Sequence, residues 1–343
     1  MNYFEPKFLR GVIEKILPLR LFFRTRFFSE QVTFPTSKVS FEFMNDTRRL
    51  MPYAKAGKIS VPVSSDGYSL RSYEPPLVSG YKSITETTLE QKLFGEESFN
   101  SGLTPADREQ KLMARFIMEL QDMIYRKEEY MCARIKQDGK LVINQKDYAA
   151  EVDYGFKKIQ TLTTADQWTD TADILGQLQE SANDLRKDGV NPDMLILGSK
   201  ASQALLKNKA ILKLRHDMLI DVRPPLPEEL ENGLNYLCQI RAPGLFLNCY
   251  EYLEYYRDEL TGQALPLVDE STAILQSSQE KNMMLYGAVT YIDDNKNRIT
   301  AMNEYVPYVL TIPESSERRL IVSSKPLPMP LDIDAWCVFK NVI

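Results

Sequence analysis

Apolar side chains recur along this chain with two different periods, and each change of period marks an element. The helical period is clearest over 104–137, where Leu112, Phe116, Leu120, Ile124, Met131 and Ile135 recur at near-helical spacing. Thr104 is placed to cap the start, Pro105 suits the first helical position, Asp107 suits the acidic capping-box position, and Gly139 closes the run. At 1.5 Å per residue the spacing predicts a rod of about 50 Å. The mean globular helix has only about 11–12 residues, so this one is long for its class. Its heptads are not sustained enough for a coiled coil, and a structural spine is the better reading.

The period-two pattern dominates elsewhere. Over 58–74, Ile59, Val61 and Val63 alternate with polar residues, Asp66 and Gly67 supply turn chemistry, and Tyr68 and Leu70 resume the alternation. This predicts a hairpin, with Pro62 confining its first strand to an edge. Residues 140–156 read as strand. A helix capped by Asp170 or Thr171 runs to Asp188 and stops at Gly189. Asn191 and Pro192 turn into a buried strand, Met194 to Leu197, and Ser199 caps a further helix. After a proline-rich loop at 224–227 come extended runs at 234–241, 245–256, 283–292, 298–311 and 332–342. The pattern is α+β, an α/β-rich middle flanked by long extended pieces.

Residues 1–50 do not open like a compact domain. Between 17 and 28, Leu19, Leu21, Phe22, Phe23, Phe27 and Phe28 are interleaved with Arg20, Arg24 and Arg26, and Pro18 and Pro35 interrupt long helices. A strand-like run follows at 38–43. So aromatic an arm must be covered by something. The residues leave two covers open, the chain's own core and a neighbouring subunit.

Composition adds mainly exclusions. Of the 343 residues 43% are hydrophobic and 26% charged, enough for a packed core without disulfides or metals. A net charge of −5 provides no basic field for nucleic acid or anionic lipid, and the three arm arginines are too few for a stacking patch. Cys132, Cys238, Cys249 and Cys337 form no CxxC pair, which suits a reducing cytoplasm. The longest charge-free stretch, Asn282 to Ile292, is far short of a membrane span. The one histidine, His216, lies among charges and announces no catalytic partner. No nucleophile elbow, P-loop or dinucleotide fingerprint is present. Asp293, Asn295, Asn297 and Glu304 fall at calcium-loop spacing, but Arg298 stands where that loop needs glycine. The strand-like flanks there predict a polar hairpin turn instead.

Laid end to end, these pieces resemble the lambda-type phage major capsid protein E family. The stretches that carry the likeness are 19–24 with 34–39, the helix–strand–helix run from Asp173 to Lys213, 266–275, 285–287, 318–320 and the terminal strand. The resemblance implies the tailed-phage major capsid fold. The N-terminal arm would be 1–50, the extended hairpin loop 51–95, the spine helix and first part of the peripheral domain 96–169, the central domain 170–290, and the return to the peripheral domain 291–343.

It further implies a subunit of an icosahedral head, assembled in host cytoplasm from pentamers and hexamers around double-stranded DNA. No cofactor, metal or catalysed reaction is expected. Partners would be copies of the chain, a separate scaffolding protein, a portal protein and a decoration protein, whose contacts the divergent 224–232 loop leaves open. Leu19, Leu21, Phe22, Phe23, Arg24, Phe27, Phe28 and Phe34 of the arm, with Asp66, Gly67 and Tyr68 of the hairpin, would make the inter-subunit contacts. On that expectation, deleting 1–30 spares the monomer fold and abolishes shells. A nanocompartment shell of the same fold is the nearest alternative. An α/β enzyme with a convergent polar pocket, or a nucleic-acid-binding assembly factor, would be a rival of another class.

Overall fold

A computed structural model describes residues 21–36, 38–44, 68–85, 88, 104–145, 148–216, 220–221, 233–258, 261–293, 297–312 and 317–343. At its centre lies a seven-stranded mixed sheet. Its strands, from edge to edge, are Ile159–Thr161, Trp336–Lys340, Ala273–Gln276, Met194–Leu197, Leu245–Tyr252, Leu234–Ala242 and Ile220–Asp221. Met194–Leu197 is buried at every position because both faces of the sheet are covered.

Strand alternation then sorts the side chains. Leu195, Leu197, Leu275 and Phe339 meet two helices on one face, α3 (Ile174–Lys187) and α4 (Ser199–Lys207), through Ile174, Leu178, Leu185, Ala201 and Leu205. Met194, Ile196, Ile274, Trp336 and Val338 face the other way. There they pack on a short helix, α1 (Phe22–Phe27), and on the long helix α2 (Pro105–Asp138). A further helix, α5 (Lys209–His216), follows α4. The terminal strand and Ile159–Thr161 are thus both strands of this central sheet. What recruits Trp336–Lys340 is its apolar face on each side, which only a doubly covered position can bury.

The spine α2 is 34 residues long, about 51 Å, and starts and stops where its caps predict. The Asp107 amide donates to Thr104 Oγ1 at 3.2 Å, the Thr104 amide donates to the Asp107 carboxylate at 3.0 Å, and Gly139 ends the helix at φ 63°. A Cβ at Gly139 would overlap the Phe156 side chain, so both conformation and space call for glycine. The first half of α2 lays Ile117, Leu120 and Ile124 on a three-stranded sheet of Val78–Ile84, Glu317–Ser324 and Val306–Ile312. Its second half buries Met131 and Ile135 against Leu141, Val152, Leu285 and Leu327.

Extended segments complete the fold. Glu30–Phe34 pairs in parallel with Met283–Gly287, which pairs on its other side with Pro326–Met329. The expected strand at 38–43 forms as Val39–Met44, and it pairs antiparallel with Tyr68–Tyr73. The first strand of the expected 58–74 hairpin, with Asp66 and Gly67, lies outside the described residues. The strands that end before Asp293 and start after Asn297 are antiparallel, and the Asn297 amide donates to Asp293 Oδ1 at 2.7 Å, while 294–296, with Asn295, lie outside the described residues.

Candidate functional site at the arm–spine junction

Of the two covers the arm's residues left open, α1 takes its own chain. Phe22, Phe23 and Phe27 are fully buried, Phe28 is 1% exposed, and Leu21 and Phe34 are buried too. Their cover is their own chain. Phe22 and Phe23 pack their rings on Tyr252 at centroid distances of 5.5 and 5.4 Å, within the cluster that holds Trp336 and Ile196. Within the subunit these arm residues are therefore part of the core. Leu19, Asp66 and Gly67 lie outside the described residues, and Tyr68 starts a strand opposite Met44.

A helix of six residues is too short to persist alone, and α1 has no side-chain cap of its own. Its start is held from the spine. The amides of Phe23 and Arg24 each donate to the Glu129 carboxylate at 2.9 Å, and Tyr252 donates its hydroxyl to the same group at 2.8 Å. A buried carboxylate at a helix start meets both the open amides and the positive end of the helix dipole.

Arg24 makes the second tie. Its guanidinium donates to Glu128 of α2 and to Glu304, lies 3.3 Å from the Tyr286 hydroxyl, and sits 4.4 Å from the centre of the Tyr125 ring. Burial works against the Arg24 charge, but Glu128, Tyr286 and Glu304 outweigh it and hold the guanidinium firmly protonated. Glu128 has the opposite balance. Burial dominates, Arg24 only partly offsets it, and the carboxyl is pushed up from 4.5 to about 7. Its Oε2 faces Arg24 and Tyr286, while Oε1 is buried without a hydrogen-bond partner.

About two turns further along α2, Lys136 is fully buried with its ammonium on Glu280 and 4.1 Å from the centre of the Trp336 ring. Burial lowers its pKa against the pull of Glu280. The Glu280 carboxylate also accepts from Asn282, whose own amide donates to the Phe27 carbonyl at 2.7 Å. The arm helix is thus gripped at both ends by buried polar groups. Sequence reading missed Glu128, Glu129 and Lys136, and noted Glu304 only for its calcium-loop spacing. A signal existed, because Glu128 falls between Ile124 and Met131 on the apolar face of α2, where a helical series has an unexplained polar member.

Chemically, the junction positions α1 and ties it to the spine. Among the described residues no group of three or more His, Cys, Asp or Glu side chains is set to hold a metal. No helix of the described residues is long and apolar enough to cross a membrane.

Comparison with known proteins places this architecture. The chain is similar to a putative prophage capsid protein of Escherichia coli CFT073, with TM-score 0.69 at 16% identity over 97% of both chains. It is also similar to a phage-related protein of Bordetella bronchiseptica RB50, with TM-score 0.54 at 12% identity over 98% of this chain and 96% of that one. At such identities the likeness is one of fold. A comparison with curated proteins returns no match. The profile described as phage major capsid protein E matches residues 7–341, nearly end to end. The chain therefore belongs to the phage major capsid protein E family and is a structural subunit of a phage capsid shell.

Proposed function

We propose that copies of this chain close into pentamers and hexamers and tile an icosahedral head around double-stranded DNA, with no reaction catalysed. The observation that carries this is the whole-chain family match, from residue 7 to 341, on a fold shared with a prophage capsid protein. The seven-stranded sheet with α3 and α4 would serve as the central domain at the capsomer axis. The spine with its three-stranded sheet would serve as the peripheral domain. Closure by head-to-tail contacts follows from the ring symmetry such shells require.

The surface supports the same reading. Gly80 and Lys82 face α2, so the odd-numbered residues of Val78–Ile84 lie on the outer face of the three-stranded sheet. Tyr81 there is 57% exposed, and Leu310 is 39% exposed on the same face two strands away. A second copy is the cover we assign to that face. A separate scaffolding protein, a portal protein and a decoration protein are the expected partners, with assembly in host cytoplasm.

The test is to express the chain with its candidate scaffold and image the product by electron microscopy. Uniform icosahedral shells are the expected outcome. A product that stays monomeric under every assembly condition would overturn the proposal.

A further inference from the structure

The arm–spine junction buries more negative than positive charge, and that imbalance has a consequence. Glu128 faces Arg24 of α1, Tyr286 of the Met283–Gly287 strand, Glu304 from the segment before Val306, and Cys132 on its own helix, while Tyr125 lies against Arg24 and Glu129 against Cys132. Tyr305, beside Tyr125, completes the titratable groups around Arg24. The phenols and the Cys132 thiol have pKa values raised by burial, so they stay neutral across ordinary pH. One guanidinium therefore serves the carboxylates of Glu128 and Glu304, while Glu129 is occupied by two α1 amides and Tyr252. The buried Glu128 Oε1, which no donor reaches, is the place for the missing proton.

We propose that the Arg24–Glu128–Glu304 cluster is a proton-operated latch on the arm. With Glu128 protonated, Arg24 and Glu304 neutralise each other and α1 is held on the spine. Loss of that proton puts a second negative charge beside the first in a dry site, and α1 docking weakens. Undocking exposes Glu128 to water and returns it to its ordinary acidity. The direction follows from linkage. A carboxyl whose pKa is raised in the docked state, here from 4.5 to about 7, stabilises docking fully below the lower value, and that contribution is lost as pH rises through the upper one. The device is independent of the ring geometry proposed above, since it lies within one subunit.

The experiment is amide hydrogen exchange on the full chain as unassembled subunits, following Phe23 and Arg24, whose amides are held by Glu129. Protection factors, corrected for intrinsic exchange, are compared at acid and mildly alkaline pH. The expected result is a fall on the order of tenfold between about pH 5.5 and pH 8, set by one proton. Glu128→Gln should flatten that dependence. Glu304→Gln, which leaves Arg24 to Glu128 alone, should move the fall to lower pH, and it provides the test if Glu128→Gln does not fold. Protection that is independent of pH in the unaltered chain, or a fall that both variants leave in place, would overturn the latch.

Discussion

At the residue scale, Arg24 shows how much of this fold rests on a charge that the core must bury. It touches a carboxylate and the face of Tyr125 on α2 and a second carboxylate near Val306, so two pieces of chain distant from the arm meet on one guanidinium. Arg24→Met keeps most of the volume but leaves Glu128 and Glu304 facing each other without a cation. Breaking a buried pair in this way costs about 3–5 kcal/mol, which a shift of the urea midpoint would show. The loss should shrink on acidification, because Glu128 then takes up a proton. Adding Glu128→Gln to Arg24→Met should recover part of it. If Arg24→Met matched the unaltered chain in urea, the junction would contribute nothing to stability. Of these residues, only Arg24 was legible in the sequence as belonging to the arm. Its partners lie 104 and 280 positions away, a separation that no local pattern encodes.

At the element scale, the contrast between α1 and α2 explains what could be read locally. The spine carries its own start, stop and apolar stripe, so its bounds follow from Thr104, Asp107 and Gly139. α1 carries none of these and becomes a helix only because Glu129 receives its first amides. It also delivers Phe22, Phe23 and Phe27 to the core, with Phe28 just beyond it, each contributing about 1.5–3 kcal/mol. Deleting residues 1–30 should therefore abolish cooperative unfolding of the subunit, contrary to what the resemblance alone implies. Removing only 1–20 takes away none of those side chains and should keep the transition. Circular dichroism melts of the two truncations would separate the cases. A sharp melt for the longer deletion would mean the core closes without α1. Gly139→Ala belongs at this scale too. It meets Phe156 and a left-handed backbone, and should destabilise by more than about 1 kcal/mol in the same melts.

At the scale of the whole molecule, the chain returns to its centre at the end. Trp336–Lys340 lies between Ala273–Gln276 and Ile159–Thr161, so segments far apart in sequence share one sheet. The seven-stranded sheet is then covered on one face by α3 and α4 and on the other by the arm and the spine. What remains for neighbours is the outer surface, including the face that carries Tyr81 and Leu310. Tyr81→Asp should leave subunit stability within about 0.5 kcal/mol, because the side chain is exposed, yet stop closed shells from forming. Sedimentation of assembly reactions would show it, and shells of normal size from the variant would remove Tyr81 from the contact.

By itself, the sequence determined the elements whose causes are local. These are the capped spine, the buried Met194–Leu197 strand and the antiparallel strands flanking Asp293 and Asn297, together with the order of motifs that resembles a capsid family. Tertiary structure alone decided what covers the aromatic arm, which sheet receives the last strand, and why a glutamate stands on the apolar face of α2. Each of these depends on partners far away in the chain. Apolar side chains state that they need cover, but hydrophobic burial has no direction and cannot say whose surface supplies it.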